Sequence, residues 1–152
     1  MGKSTIRSLP RWEELPDFDL YMDQVLSLME RYLGDDGKAL TASMINNYVK
    51  MGAVPPPCKK RYSRSHLVRI LVICVLKNVL PLGEIQKLLS YAMAASSEDV
   101  FYNSFCTQYE SSAAEVAAIW ESQDRSSALP MLRAALRAQA ERQQLMLLCK
   151  EL

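Results

Sequence analysis

Apolar residues recur at helical intervals along most of the chain, and the intervals break at a few well-marked places. Leu20, Val25, Leu28, Met29 and Tyr32 fall near a 3.6-residue period, which predicts a helix from a cap at Asp17 to about Leu33, ended by Gly34-Asp35-Asp36-Gly37. Thr41 or Ser43 starts a second helix that Gly52 closes. Pro55-Pro56-Pro57 removes backbone donors and disfavours the helical region, so an extended loop is predicted there. Ser63 is a strong N-cap for a third helix, from Arg64 to about Val79.

That third helix carries Leu67, Val68, Ile70, Leu71, Val72, Ile73, Cys74, Val75 and Leu76, an apolar surface almost all the way round. Such a helix belongs at the centre of a domain. Pro81 opens a fourth helix, where its missing N–H costs nothing, and Leu82, Ile85, Leu88 and Leu89 form its inner face. Further helical patterns run from about 98 to 122 and from about 127 to 150. No segment alternates with a strand's period of two and no internal repeat is present, so the fold class is all-α.

Composition sets bounds on this reading. The 152 residues are 49% hydrophobic and 23% charged, ordinary for one globular domain with an appendage. The apolar run from Ile70 to Leu76 is far shorter than the roughly 20 residues a membrane span needs. No apolar block near the N-terminus suggests a secretory signal. Residues 2–5, Gly-Lys-Ser-Thr, resemble the tail of a phosphate-binding loop but lack its preceding glycine and strand, and read as a disordered start. The cysteines Cys58, Cys74, Cys106 and Cys149 are scattered and His66 is the sole histidine, so a reduced, metal-free, cofactor-free cytoplasmic protein is expected.

Charge becomes informative once divided. Residues 1–40 and 90–152 each carry a net −3, whereas residues 41–89 hold Lys/Arg at 50, 59, 60, 61, 64, 69, 77 and 87 against the single acid Glu84. A basic middle third between acidic flanks points to a polyanion site. Within it, the second helix places Met44, Ile45, Tyr48 and Val49 on one side and Ser43, Asn46, Asn47 and Lys50 on the other. Asparagine is a mediocre helix former, so two in a row on an outer face call for a reason. Reading DNA supplies one, since Asn can pair with an adenine edge and Lys can reach guanine or phosphate; a plain solvated face is the competing account. The Lys59-Lys60-Arg61-Tyr62 stretch after the prolines suits a phosphate backbone, and Arg64 at the start of the third helix could add a contact.

The stretch from Met44 to Pro55, then Arg61-Tyr62-Ser63, and finally Leu67-Val68-Arg69-Ile70 onward to Leu82-Gly83-Glu84-Ile85-Gln86-Lys87-Leu88-Leu89, resembles the DNA-binding region of MerR-type regulators. Over roughly residues 17 to 125 the chain looks closer still to the bacterial domain-of-unknown-function family numbered 1836, with Asn46-Asn47-Tyr48-Val49-Lys50 as the most specific block. The MerR resemblance implies a winged helix-turn-helix, with helix 43–51 in the major groove and the wing 55–62 on the backbone. It departs from that pattern at Asn46 and Asn47, which replace Arg and Tyr, and in a short, proline-rich wing. The implied organisation is a flexible N-terminus over 1–16, a winged helix-turn-helix domain over 17–95 and a C-terminal helical region over 96–152.

The expected nucleic-acid-binding residues are Thr41, Ser43, Asn46, Asn47, Lys50, Lys59, Lys60, Arg61, Tyr62 and Arg64, with double-stranded DNA as partner. Phe101, Tyr102, Phe105, Tyr109 and Trp120 either line an effector pocket or form an ordinary core stripe. The C-terminal helices could pair two copies into a homodimer. Glu110, Glu115 and Glu121 are spaced like solvated helix positions, and no nucleophile-and-base arrangement is visible, so catalysis is not expected. A helical protein-interaction module on the same scaffold is the rival reading.

Overall fold

A computed structural model describes residues 7–124 and 126–152; the Gly-Lys-Ser-Thr stretch lies outside them. The described residues form a 3-10 turn, Trp12–Glu14, and seven helices: α1 Met22–Leu33, α2 Asp35–Lys38, α3 Ala42–Lys50, α4 Arg64–Leu76, α5 Leu82–Ala95, α6 Glu98–Glu121 and α7 Leu129–Leu148. They contain no strand, only two isolated antiparallel bridges, Leu20 with Tyr62 and Cys58 with Arg61. The all-α expectation holds.

α4 is the central element. Leu67, Val68, Ile70, Leu71, Val72, Ile73 and Cys74 are all buried, which is what its unbroken apolar circumference requires. Each such side chain contributes roughly 1.5–3 kcal/mol by leaving water. α2 touches both α1 and α4, α3 lies on α1, and α5 connects α4 to α6. Val25 and Met29 of α1, Ile45 and Tyr48 of α3, Ile85 and Leu89 of α5, and Tyr102 and Cys106 of α6 complete one core.

Three boundaries differ from the sequence reading. The first helix begins at Met22 rather than beside Asp17, because Leu20 spends its backbone on a bridge: Leu20 N–H donates to the Tyr62 carbonyl at 2.9 Å and Tyr62 N–H returns the bond at 2.8 Å. Gly34, at φ +60°, ends α1, but Asp35–Lys38 then form the short helix α2 instead of a plain loop. Residues 7–16, expected within a flexible start, are packed: Leu9 and Leu15 are both 2% exposed.

Side chains hold that N-terminal segment along α6. Arg11 donates to the Asn103 carbonyl at 3.0 Å and to Glu110 at 2.8 Å, and the Trp12 N–H donates to Asn103 Oδ1 at 2.9 Å. The core therefore extends across the expected boundary at residue 95 into the first half of α6.

Cys58 is exposed, whereas Cys74, Cys106 and Cys149 are buried. Burial pushes the Cys74 thiol up to about 11, with Lys77 opposing and Asp36 reinforcing the rise, and burial raises Cys106 too. Cys74 thus favours the fold as a neutral thiol. Its contribution is complete below the ordinary thiol value and is lost as pH climbs through about 11. At neutral pH, a thiol reagent is expected to modify Cys58 quickly and the other three only on unfolding, as mass spectrometry of the labelled protein would show.

α2 approaches α1 so closely that a β-carbon added at Gly37 would overlap the Met29 carbonyl. Because both partners are backbone, a side-chain rotation cannot relieve the overlap. Gly37→Ala is expected to destabilise the protein by about 2–3 kcal/mol in urea unfolding.

Candidate nucleic-acid interface

α3 is set by its cap and by two anchors. Thr41 Oγ1 accepts from the Met44 N–H at 3.2 Å, satisfying one of the helix's free amides. Ile45 and Tyr48 then point into the core, and burial pushes the Tyr48 hydroxyl up to about 12, with Cys74 adding to the shift. Gly52, at φ +79°, turns the chain so that the Ala53 and Val54 N–H groups both donate to the Tyr48 carbonyl, at 2.9 and 3.2 Å. Ala53 and Val54 are themselves buried, so the loop leaves α3 from a fixed point.

The opposite face of α3 is open. Ser43, Asn46, Asn47 and Lys50 are exposed, and no hydrogen bond or ion pair engages their side chains among the described residues. Four polar groups with unspent hydrogen-bonding capacity thus lie along two turns of a helix whose own position is rigidly determined.

The 55–62 loop, expected to form a wing, closes on a single short bridge. Cys58 N–H donates to the Arg61 carbonyl at 3.1 Å and Arg61 N–H donates back at 2.9 Å, closing a two-residue hairpin. Its tip is Lys59 and Lys60, at φ +49° and +63°. Positive φ at both central positions matches the type I′ turn that suits a hairpin's twist, a geometry that favours Asn-Gly and strains residues with a β-carbon. Lys59 and Lys60 are exposed, and Arg61 lies over the Tyr21 ring at 5.3 Å from its centroid.

His66 fixes both legs of this loop. The Ser63 N–H donates to His66 Nδ1 at 3.0 Å, with the Ser63 hydroxyl 2.8 Å from the same nitrogen, and Nε2 faces the Pro56 carbonyl at 3.2 Å. Nδ1 thus accepts from Ser63 and Nε2–H donates to the Pro56 carbonyl, the tautomer being inferred from these partners. The ring also meets Tyr62 edge-on, with centroids 5.5 Å apart. The sequence signal for this bolt was its position three residues after a capping serine, where a capping-box partner sits.

Two expected contact residues turn inward. Tyr62 is 3% exposed, its backbone spent on Leu20 and its ring packed in the core. Arg64 donates to the Leu15 carbonyl at 2.9 Å and the Pro16 carbonyl at 3.2 Å while lying over the Trp12 ring, so it clamps the N-terminal segment. Arg69 lies 3.9 Å from Glu98, and Lys87 lies 3.4 Å from Glu84. Of the eight cations, Lys50, Lys59, Lys60 and Arg61 are exposed and outside any ion pair among the described residues, and Lys77 is half-buried at the end of α4. The Leu20–Tyr62 bridge ties the segment before α1 to one leg of the hairpin, which is why Arg61 meets Tyr21, and Arg69 meets Glu98 of an acidic block that is separate in sequence.

The five aromatics do not gather round one cavity. Tyr102 is fully buried, which drives its hydroxyl far above the usual range, and Phe101 and Phe105 pack against the core with centroids 6.4 Å apart. Tyr109 instead lines a surface cavity of about 400 Å³ with Arg7, Leu33, Asp35, Asp36, Cys74 and Val75. Trp120 is half-buried near the end of α6. No cluster of three or more His, Cys, Asp or Glu among the described residues could hold a metal ion, and no described helix is long and apolar enough to cross a membrane.

Replacing Lys59-Lys60 with Asn-Gly puts a residue that tolerates the left-handed region at position 59 and removes the β-carbon at position 60, so it is expected to stabilise the fold by about 1–2 kcal/mol in urea unfolding. His66→Ala removes the bolt and is expected to cost about 1–3 kcal/mol, by leaving the Ser63 N–H and Pro56 carbonyl short of a partner.

No curated protein and no solved structure matches the chain. The family model of a domain of unknown function, DUF1836, matches residues 10–111. Its span opens beside the Arg11 latch and closes where α6 leaves the core. With about two thirds of its length covered by that model, the chain belongs to the DUF1836 family.

Proposed function

We propose that the protein is a MerR-like winged helix-turn-helix regulator of transcription, which lays α3 in the major groove of double-stranded DNA and grips the backbone with the 55–62 wing. One observation carries the reading: the outward face of α3, Ser43-Asn46-Asn47-Lys50, has no internal partners and stands on a scaffold whose next element is a bolted cationic hairpin. Asn46 and Asn47 would address adenine edges, Lys50 a guanine or a phosphate, and Thr41 and Ser43 nearby backbone oxygens. Lys59, Lys60 and Arg61 would supply the salt-dependent affinity. Tyr62 and Arg64 serve in this reading as supports for the wing and the N-terminal segment. Free thiols, three of them buried, suit the reducing cytoplasm where such a regulator works.

A second reading is favoured by the same inward turn of Tyr62 and Arg64. The scaffold would then present the polar face of α3 to a protein partner instead of to DNA.

Duplex-DNA binding, followed by fluorescence anisotropy across a salt series, separates the two. Lys59→Ala with Lys60→Ala and Arg61→Ala is expected to weaken binding to every sequence and to flatten the log–log salt slope by up to about 3. Asn46→Ala is expected to cost about 1–3 kcal/mol on a preferred site only. Arg64→Ala should lower stability and leave the slope unchanged. Absence of any association with duplex DNA at about 50 mM salt overturns the proposal.

A further inference from the structure

Beyond residue 110 the character of the chain changes. Among the described residues, none from Ser111 to Gln144 is buried. Large apolar side chains are nevertheless frequent there: Val116 is 53% and Ile119 44% exposed on α6, and Leu129, Leu132 and Leu136 are 51%, 56% and 61% exposed on α7. Their spacings of three and four put each set on one helical face. Two apolar stripes with polar surroundings are the mark of a surface that meets a partner.

The charges beside the stripes are segregated by helix. α6 carries Glu98, Asp99, Glu110, Glu115 and Glu121 and no Lys or Arg, while α7 carries Arg133 and Arg137 and no acid before Glu141. Glu115 lies four residues before Ile119, and Arg133 three before Leu136, so each charge borders its own stripe. Glu115, Glu121 and Arg133 make no ion pair with any described residue. α7 is held at its other end, where Arg142 Nε donates to the Val79 carbonyl at 2.9 Å, Leu145 and Met146 pack on the core and Cys149 is buried. Its first three turns are left uncovered.

One chain thus displays an acid-edged apolar stripe and a base-edged apolar stripe, each complementary to the other. We propose that two copies of this chain associate about a two-fold axis, the end of α6 in each receiving the start of α7 from the other. Complementarity of i with j and of j with i is what an isologous interface requires. The interface lies outside the span of the family match and does not depend on DNA binding.

Sedimentation equilibrium of the full-length protein without DNA, over the micromolar range, tests this. The wild type is expected to sediment at twice the chain mass. Glu115→Arg gives both stripes a basic edge, and Arg133→Glu gives both an acidic one. Each variant alone is expected to lose at least about tenfold in self-association, since like charges then face each other. Mixed in equal amounts, the two should form a heterodimer, because every acidic edge again meets a basic one. These substitutions sit on exposed helix positions, and circular dichroism confirms that each variant is folded. A monomeric wild type, whether or not it binds another protein or an anionic vesicle, overturns the proposal. So does undiminished dimerisation of either variant, or failure of the folded mixture to associate. Because no DNA is present, none of these results bears on the proposed function.

Discussion

A helix that is apolar on every side has to be enclosed on every side, and most of this structure follows from enclosing α4. The Ile70–Cys74 stretch offers no face to water: α2 and α5 lie against α4, and buried residues of α1, α3, the start of α6 and the N-terminal segment complete one core with it. Demand for cover explains why α2 is pressed onto α1 until only glycine fits at position 37. It also explains why residues 7–16, weakly patterned as they are, lie along α6 instead of trailing in solvent: Leu9 and Leu15 cap remaining gaps, and Arg11 and Trp12 secure them with hydrogen bonds. Enclosure gives the outward face of α3 its fixed position, because Ile45 and Tyr48 have no alternative seat.

What was legible in the sequence was what local chemistry decides. Thr41 and Ser63 before helices, Pro81 at a helix start and Gly52 after one each act within a few residues, and α3 to α7 begin within about two residues of the expected places. The polar and apolar faces of α3 were equally readable, because a 3.6-residue period is enough to sort them. Long-range pairing was not. Leu20 and Tyr62 stand far apart in the chain, and no pattern around either marks the bridge that delays α1 and turns the Tyr62 ring inward. Arg64 reads as an anion contact because it stands at the N-terminus of a helix, where free amides favour anions, whereas its guanidinium donates to backbone carbonyls at residues 15 and 16. Charge counted along the chain likewise separated acidic and basic blocks that the fold sets side by side.

The Cys58–Arg61 hairpin combines rigidity with strain. Its legs are tied by His66 to Pro56 on one side and to Ser63 on the other, and by Tyr62 to Leu20. Such ties make a loop of otherwise mobile residues into an extension of the core. They also allow Lys59 and Lys60 to be kept in a backbone region that L-residues resist. Strain of this sort persists where the surroundings over-determine the conformation, and here it holds two ammonium groups at the tip of a hairpin.

The same left-handed turn has a consequence for the chain's exposure to proteases. Lys59-Lys60-Arg61 offers consecutive basic residues at a solvent-facing loop tip, ordinarily the first place a trypsin-like enzyme would cut. Such enzymes bind their substrates as extended strands, and a two-residue hairpin with positive φ at both central positions cannot lie flat in an active-site cleft. With its legs bolted to the core, the loop has little freedom to open. Survival of these bonds is governed by backbone shape, and cleavage there would record the moment at which the hairpin comes away from His66.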